Sequence, residues 1–225
     1  MRPRPWSFTA LGDFLNCPKA YYEKRIAKSV VESQGEAAMW GDAVHKGLEQ
    51  YLLGGELPEN LEDYREYADG ILARVGEGTL LVEQQLALNT RMQPCDWMAP
   101  DAWCRGIVDV LILYPTGNAL VIDHKTGKVK AESQQLKLFA LLVFAHHPEV
   151  NYCGTEFSWL AHDTTTTEGY HRTREGELWQ EFLPDLTRWK VAHQKEVFNP
   201  RQSGLCYGWC PVTGCEFWKP KKERR

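Results

Sequence analysis

The sequence predicts an α/β (α+β) fold, a central mixed sheet flanked by helices. Three observations carry that expectation. Apolar residues recur at helical spacing through the first third of the chain and change to an extended period at Thr79. Three consecutive strand-like segments follow, and the second and third are apolar on both faces, as strands covered on both sides are. A helix, a strand and a long helix complete the order, which layers helices onto a sheet.

Taken in turn, Ser7 or Thr9 can cap a short helix ending near Asn16, Cys17 and Pro18, and Pro18 can start a further turn through Tyr21 and Tyr22. A second helix reads from Gly41 to Leu53 and stops at Gly54 and Gly55, with His45, Leu48, Glu49 and Leu52 on one face. Leu61, Tyr64, Ala68, Ile71, Leu72 and Val75 give a third helix its apolar stripe. Thr79–Leu88, Trp103–Tyr114 and Ala119–Thr126 read as strands, the last two joined by a turn at Pro115–Asn118. Ala131–His146 reads as a helix, Asn151–Ala161 as a strand and Glu175–Val197 as a long helix. Asn199–Trp218 has no period and is rich in Gly, Pro, Cys and aromatic residues. No repeat or low-complexity linker interrupts the chain, and 225 residues fit a single domain spanning 1–225.

With 43% hydrophobic residues the chain can build a core and is not disordered. The opening residues lead into no apolar segment, so they do not read as a signal peptide. The longest apolar run, Leu138–Ala145, falls far short of the ~20 residues that span a bilayer, so a soluble, cytoplasmic protein without membrane contact is expected. A net charge of −4 argues mildly against a nucleic-acid partner. The basic tail Lys219–Arg225, Arg2 and Arg4 soften that objection, and carboxylates gathered around a bound cation would inflate the negative count. Seven cysteines in a reducing compartment are not expected to form disulfides. Cys95, Cys104 and Cys153 read as ordinary buried thiols, but Cys206, Cys210 and Cys215 are crowded into ten residues and need another explanation.

The most informative segments are Gly106-Ile-Val-Asp109 and, after the turn, Val121-Ile-Asp123-His-Lys125-Thr-Gly127. Side chains alternate along a strand, so Asp123 and Lys125 share a face, and a hairpin would bring Asp109 beside Asp123. Two carboxylates and an ammonium in an apolar sheet cost several kcal/mol each unless paired or bound to a cation. One or two carboxylates with water and phosphate are what a hard divalent ion uses. The plainer reading, a salt-bridged Asp–Lys pair on a strand, is the ordinary one for an isolated Asp-x-Lys.

This pair is not isolated. Ser7-Phe-Thr-Ala-Leu-Gly-Asp-Phe-Leu-Asn-Cys-Pro18 with Tyr21, Gly41-Asp-Ala-Val-His45, Gln135-Leu-Lys-Leu-Phe139 and the terminal cysteines stand in a consistent order around it. Together they resemble the PD-(D/E)XK nuclease superfamily, and more narrowly its RecB-like branch. That branch includes the nuclease domains of bacterial helicase–nucleases and the CRISPR-associated spacer-acquisition nucleases. The resemblance implies a restriction-endonuclease-like core, here 79–161, inside a nuclease domain of 1–225. It departs from the pattern at three places: Val108 replaces the proline before Asp109, Phe139 stands where tyrosine is usual, and the spacing is C-x₃-C-x₄-C with the middle cysteine one place late.

Carried onto this chain, the resemblance makes Asp109, Asp123 and His45 ligands of Mg²⁺ or Mn²⁺, with the backbone carbonyl of His124 as a further ligand. Lys125 positions the attacking water and stabilises developing charge. Gln135 orients the site or touches DNA, and Glu83 is an extra carboxylate for a second metal. For Gln135 and Glu83 a packing or solvated role stays open. The resemblance also implies a 4Fe–4S cluster held by Cys17, Cys206, Cys210 and Cys215, joining 1–25 with 199–218 in a module that ties the chain's two ends together. Zn²⁺ needs the same four thiolates and is the alternative.

The implied function is a divalent-metal-dependent deoxyribonuclease hydrolysing phosphodiesters with a metal-bound water. It would act as an exonuclease or a single-strand-preferring DNase in recombination or phage-type DNA processing, in a bacterial or phage-infected cell. Its substrate would be single-stranded DNA or duplex ends, with room for a recombination or single-strand-annealing partner protein and for an oligomer. No G-x-x-x-x-G-K-[ST] motif accompanies it, so it reads as a stand-alone enzyme. Two other readings compete: a non-enzymatic iron–sulfur or zinc protein that binds DNA or assembles complexes on a nuclease-like fold, and a zinc-knuckle interaction protein. The presence together of Asp109, Asp123 and Lys125 argues against the first of these, and the second is supported only by the cysteine tail.

Overall fold

The computed structural model describes residues 5–31, 35–129 and 134–220. Its α-helices are α1 (Phe8–Asn16), α2 (Pro18–Tyr21), α3 (Glu36–Leu52), α4 (Arg65–Val75), α5 (Gln134–His146) and α6 (Glu175–Lys195). The strands are β1 (Thr79–Asn89), β2 (Ala102–Leu113), β3 (Asn118–Lys125), β4 (Tyr152–Trp159) and β5 (Thr164–His171). Contacts divide the chain into two compact units, one of Met1–Ser33 with Gln180–Arg225 and one of Gln34–Trp179. Arg2, Arg4, positions 131–133 of the expected helix and positions 221–225 of the basic tail lie outside the described residues.

The unit Gln34–Trp179 carries a five-stranded mixed sheet in the order β1-β2-β3-β4-β5, flanked by helices. β3 and β4 run parallel and the other neighbours antiparallel. A parallel pair needs a crossover, and α5 supplies it. The expected β2–β3 hairpin is present: Tyr114 donates its N–H to the Asn118 carbonyl at 2.9 Å, and Gly117 turns the chain at a φ of +77°. Leu52 of α3 and Ile71 of α4 share one core cluster with Val110, Ile112 and Ile122. Every residue of α5 from Leu138 to Phe144 is buried, so the longest apolar run is a core helix. Gly106 is what lets it come close, because a Cβ there would stand 2.5 Å from Leu142 Cδ1. Among the described residues, no helix is long and apolar enough to cross a membrane.

Three elements differ from the sequence reading. The helix expected from Leu61 opens as a 3-10 turn, Glu59–Tyr64, and is α-helical only from Arg65. α3 begins at Glu36, a turn before Gly41. A single strand was expected after α5, yet the chain turns at Asp163, with a left-handed φ of +44°, and returns as β5 along the full length of β4. Thr164–Thr167 are β-branched but polar, which suits an edge strand with a mostly exposed face and hides it from any search for apolar alternation.

In the other unit, Ser7 caps α1 by accepting the Ala10 N–H at 3.2 Å, and Pro18 opens α2 as its first residue. The buried Tyr21 ring meets Phe14 edge-on at 5.7 Å. Its hydroxyl accepts the Trp189 indole N–H at 3.2 Å and lies 3.0 Å from His193 Nε2. Trp6, fully buried, stacks at 5.9 Å against Phe182. Among the described residues after α6, Gly204–Cys206 form a short 3-10 turn and the rest is irregular chain.

Candidate active site and a cysteine-lined cavity

The β2–β3 register runs from Leu113↔Ala119 to Val110↔Ile122, and one further step would set Asp109 against Asp123. There the ladder stops. Asp109 instead reaches across with its side chain, and Oδ2 accepts the His124 backbone N–H at 2.7 Å. Both carboxylates are buried, at 7% and 3% exposure.

α3 brings His45 to this point, with Nδ1 3.3 Å from Asp109 Oδ2. Gly41, one turn earlier, sits where a Cβ would be 3.0 Å from Thr126 Oγ1, so the glycine of the Gly-x-x-x-His segment allows the helix to approach the end of β3. On the other side, Glu83 of β1 falls opposite Asp109, between the pairs Val82↔Val110 and Gln84↔Val108. Its backbone is left-handed, with φ +51°, a conformation that costs a non-glycine residue free energy. One ligand atom each from His45, Glu83 and Asp109 lie within 4.8 Å of one another. Glu83 thus joins His45 and Asp109 in the tightest ligand group, while Asp123 is engaged elsewhere.

Asp123 forms an ion pair with Lys125 on the same strand face. Gln135, in the first turn of α5, bridges them: its amide donates to Asp123 Oδ1 at 3.1 Å and its carbonyl accepts from Lys125 Nζ at 3.2 Å. Lys125 Nζ also stands 4.8 Å above the Phe157 ring. Phe139, where the resemblance would place tyrosine, is buried in the core and offers no hydroxyl. His124 points the other way, as strand alternation requires, toward Tyr67 of α4.

Burial, and then the charge of Asp109, push Asp123 up to about 7 against the pull of Lys125. Burial acts the same way on Asp109, but its hydrogen bond with His45 and the neighbouring His124 outweigh it and hold that carboxyl below its ordinary range. His45 is drawn down by burial and, more strongly in sum, raised by Asp109, Asp123 and Glu83. Burial raises Glu83, with Asp109 adding to it, and lowers His124 to about 4, which leaves that imidazole neutral. The site therefore concentrates more negative charge than its own cations neutralise, and its donors are one imidazole and carboxylate oxygens. That set suits a divalent cation of the Mg²⁺ or Mn²⁺ kind.

The sequence reading missed a buried polar group behind β3. Glu156 and Ser158, at 6% and 2% exposure, lie on β4, and Arg74 of α4 pairs with Glu156 at 2.9 Å. Its one visible signal was a glutamate inside the strand Tyr152–Trp159.

In the unit of the chain ends, Cys17, Cys206, Cys210 and Cys215 line one cavity of about 180 Å³, together with Trp209 and Trp218. Arg201 donates its N–H to Cys17 Sγ and Ser203 donates its own to Cys206 Sγ, each at 3.4 Å. Burial, and then the Val212 backbone and the other three thiols, act on Cys210, which is raised overall. Cys104 and Cys153 are buried as expected, whereas Cys95 is only half-buried.

Residues 5–216 match the sequence profile of the PD-(D/E)XK nuclease superfamily. Among solved structures, the protein SSO0001 is similar at 14% identity and a TM-score of 0.50, over 96% of this chain and 87% of that one. A candidate exonuclease from Eubacterium rectale is 12% identical with a TM-score of 0.47, over 98% of this chain and 90% of that one. Comparison with curated proteins yields no match. The profile covers the sheet, its carboxylates, Lys125 and the terminal cysteines, and on that ground the chain belongs to the PD-(D/E)XK nuclease superfamily.

Proposed function

We propose that the protein is a divalent-metal-dependent deoxyribonuclease of the RecB-like branch, an exonuclease or single-strand-preferring DNase of recombination or phage-type DNA processing. The observation that carries this reading is the meeting of His45 of α3, Glu83 of β1 and Asp109 of β2 within 4.8 Å, beside the β3 end that bears Asp123 and Lys125. His45, Glu83 and Asp109 would hold the cation, and Asp123 and the His124 carbonyl are the further ligands the reading assigns. When bound, the cation acidifies water and neutralises charge on the scissile phosphate. Lys125 supplies positive charge where the phosphoryl oxygens gain negative charge. Gln135 keeps the Lys125 ammonium and the Asp123 carboxylate in fixed relation, so neither has to reorganise during the reaction. Hydrolysis breaks one P–O ester bond, giving water's hydroxyl to phosphorus and a proton to the leaving sugar oxygen.

The same reading assigns Cys17, Cys206, Cys210 and Cys215 to a 4Fe–4S cluster. Supporting it are four thiols around one cavity and backbone N–H groups directed at two of the sulfurs.

The decisive experiment is cleavage of end-labelled single-stranded and duplex DNA with Mg²⁺ or Mn²⁺, with and without EDTA. Cleavage that needs the ion supports the reading. Cleavage indifferent to EDTA, or absent from metal-loaded protein, overturns it.

A further inference from the structure

α3 buries one face, on which Val44 and Leu48 pack with Leu57, Leu61 and Ala68. Helix residues four apart lie one above the other, so Trp40 heads the row that continues through Val44. The surroundings change across that one turn. Val44 is fully buried, whereas Trp40 is 41% exposed and its neighbour Met39 59%. Of the Trp, Tyr and Phe side chains described within Gln34–Trp179, only Trp40 is exposed.

The next residue fixes where this row leaves the core. Gly41 lies against Thr126, where a Cβ would stand 3.0 Å from Thr126 Oγ1, and Thr126 directly follows Lys125. One turn after Gly41, His45 reaches Asp109. The indole is therefore carried by the residue that precedes α3's contact with the end of β3. Past Thr126 the chain runs through exposed Lys128 and Val129, so the segment leaving the site carries positive charge and apolar surface.

An open ring at this place suits one kind of partner. Every nucleobase has a π-face, and an unpaired base stacks on an indole. A base inside a duplex already has both faces covered by its neighbours and gains nothing. Lys125 and Lys128 supply charge for the strand's phosphates in a chain whose net charge is −4.

We propose that Trp40 is a substrate-contacting residue: its indole is the platform on which an unpaired base stacks as that strand's phosphodiester enters the site. This rests on the nuclease reading and names a residue behind its single-strand preference. Removing a ring that stacks a base commonly costs about tenfold or more in affinity.

The test uses full-chain Trp40→Ala and Trp40→Phe, with Leu53→Ala, an exposed apolar residue at the other end of α3, as control. Binding of oligothymidylate and of a blunt duplex is measured in Ca²⁺, and cleavage of the single strand in Mg²⁺. Trp40→Ala should weaken single-strand binding about tenfold and raise KM more than it lowers kcat, with duplex affinity unchanged. Trp40→Phe should keep most of the parental affinity, and Leu53→Ala all of it. An abasic position scanned along the oligothymidylate should cost the parent about tenfold at one place, and cost Trp40→Ala nothing further there. The proposal is overturned if no position depends on Trp40, if Leu53→Ala loses as much, or if duplex binding falls equally. It is also overturned if Trp40→Ala turns an oligomeric parent into a monomer at unchanged single-strand affinity, because a second copy then covers the ring. A parent that binds single strands through Trp40 in Ca²⁺ but cleaves none in Mg²⁺ sinks the nuclease reading alone.

Discussion

The sheet site and the cysteine cavity gather ligands by different means. Glu83, Asp109, Asp123 and Lys125 sit on strands whose ladder bonds set their spacing before any ion arrives, and His45 is placed by a 17-residue helix. Cys17 stands at the junction of α1 and α2, Cys206 ends a single 3-10 turn, and Cys210 and Cys215 follow in irregular chain. One region is preorganised and carries its like charges whether or not a cation is bound. The other lies in irregular chain, and on the proposed reading its four thiols take their spacing from the centre they hold. On that reading, removing the ion from the first should silence chemistry and spare the fold, and removing the centre from the second should destabilise the unit that holds it.

The largest effect that would break this contrast is in turnover. Asp109→Ala removes the carboxylate shared by His45, the His124 N–H and the ligand group, so cleavage should fall by on the order of 10³-fold or more, with a near-parental melting curve. A variant that unfolds as readily as it loses activity would make the sheet site a structural element after all. Lys125→Ala should cost roughly 10²–10³ in turnover, the scale of losing one group that stabilises transition-state charge. DNA affinity measured in Ca²⁺ should change little, and equal losses in both would reduce Lys125 to a phosphate anchor.

The cysteine region should answer in stability. If the thiols hold one inorganic centre, replacing Cys17 or Cys206 by Ala loses ligand energy that is also folding energy, several kcal/mol or roughly 10 °C in the melting midpoint. Anaerobic protein should be brown and these variants pale, whereas Cys104→Ala and Cys153→Ala should keep the colour. Colourless protein with stoichiometric zinc would retain the contrast and replace the iron.

The contrast also explains what could be read in advance. Strand periodicity and the hairpin turn were enough to place Asp109, Asp123 and Lys125 on neighbouring strands, although the paired register stops at Ile122 and Asp109 reaches the end of β3 through its side chain. Gln135 and His45 followed from motif order, not from period. Glu83 joined the ligand group through a left-handed backbone that no alternation rule anticipates. Tyr67, Glu156 and Ser158 belong to α4 and β4, and only tertiary packing brings them to His124. β5 escaped because its threonines lack an apolar face to count.

The smallest and sharpest test uses pH. Asp123 has an ordinary carboxyl value of 3.8 when unfolded and about 7 in the fold, raised by burial and then by Asp109. Between those values the native state holds a proton that the unfolded chain has released, so this group lowers stability as pH rises from 3.8 to 7 and levels off above. A cation must displace that proton, so Mn²⁺ affinity should rise up to about tenfold per pH unit below 7 and flatten beyond it. Asp123→Asn keeps the shape without the charge. Metal-free, it should melt higher than the parent at pH 8 and no higher at pH 4, while cleaving no DNA at either. If the parent is the more stable at pH 8, the Lys125 ion pair outweighs the repulsion from Asp109. The sheet site would then be held together by its own charges and would not be waiting on a cation to relieve them.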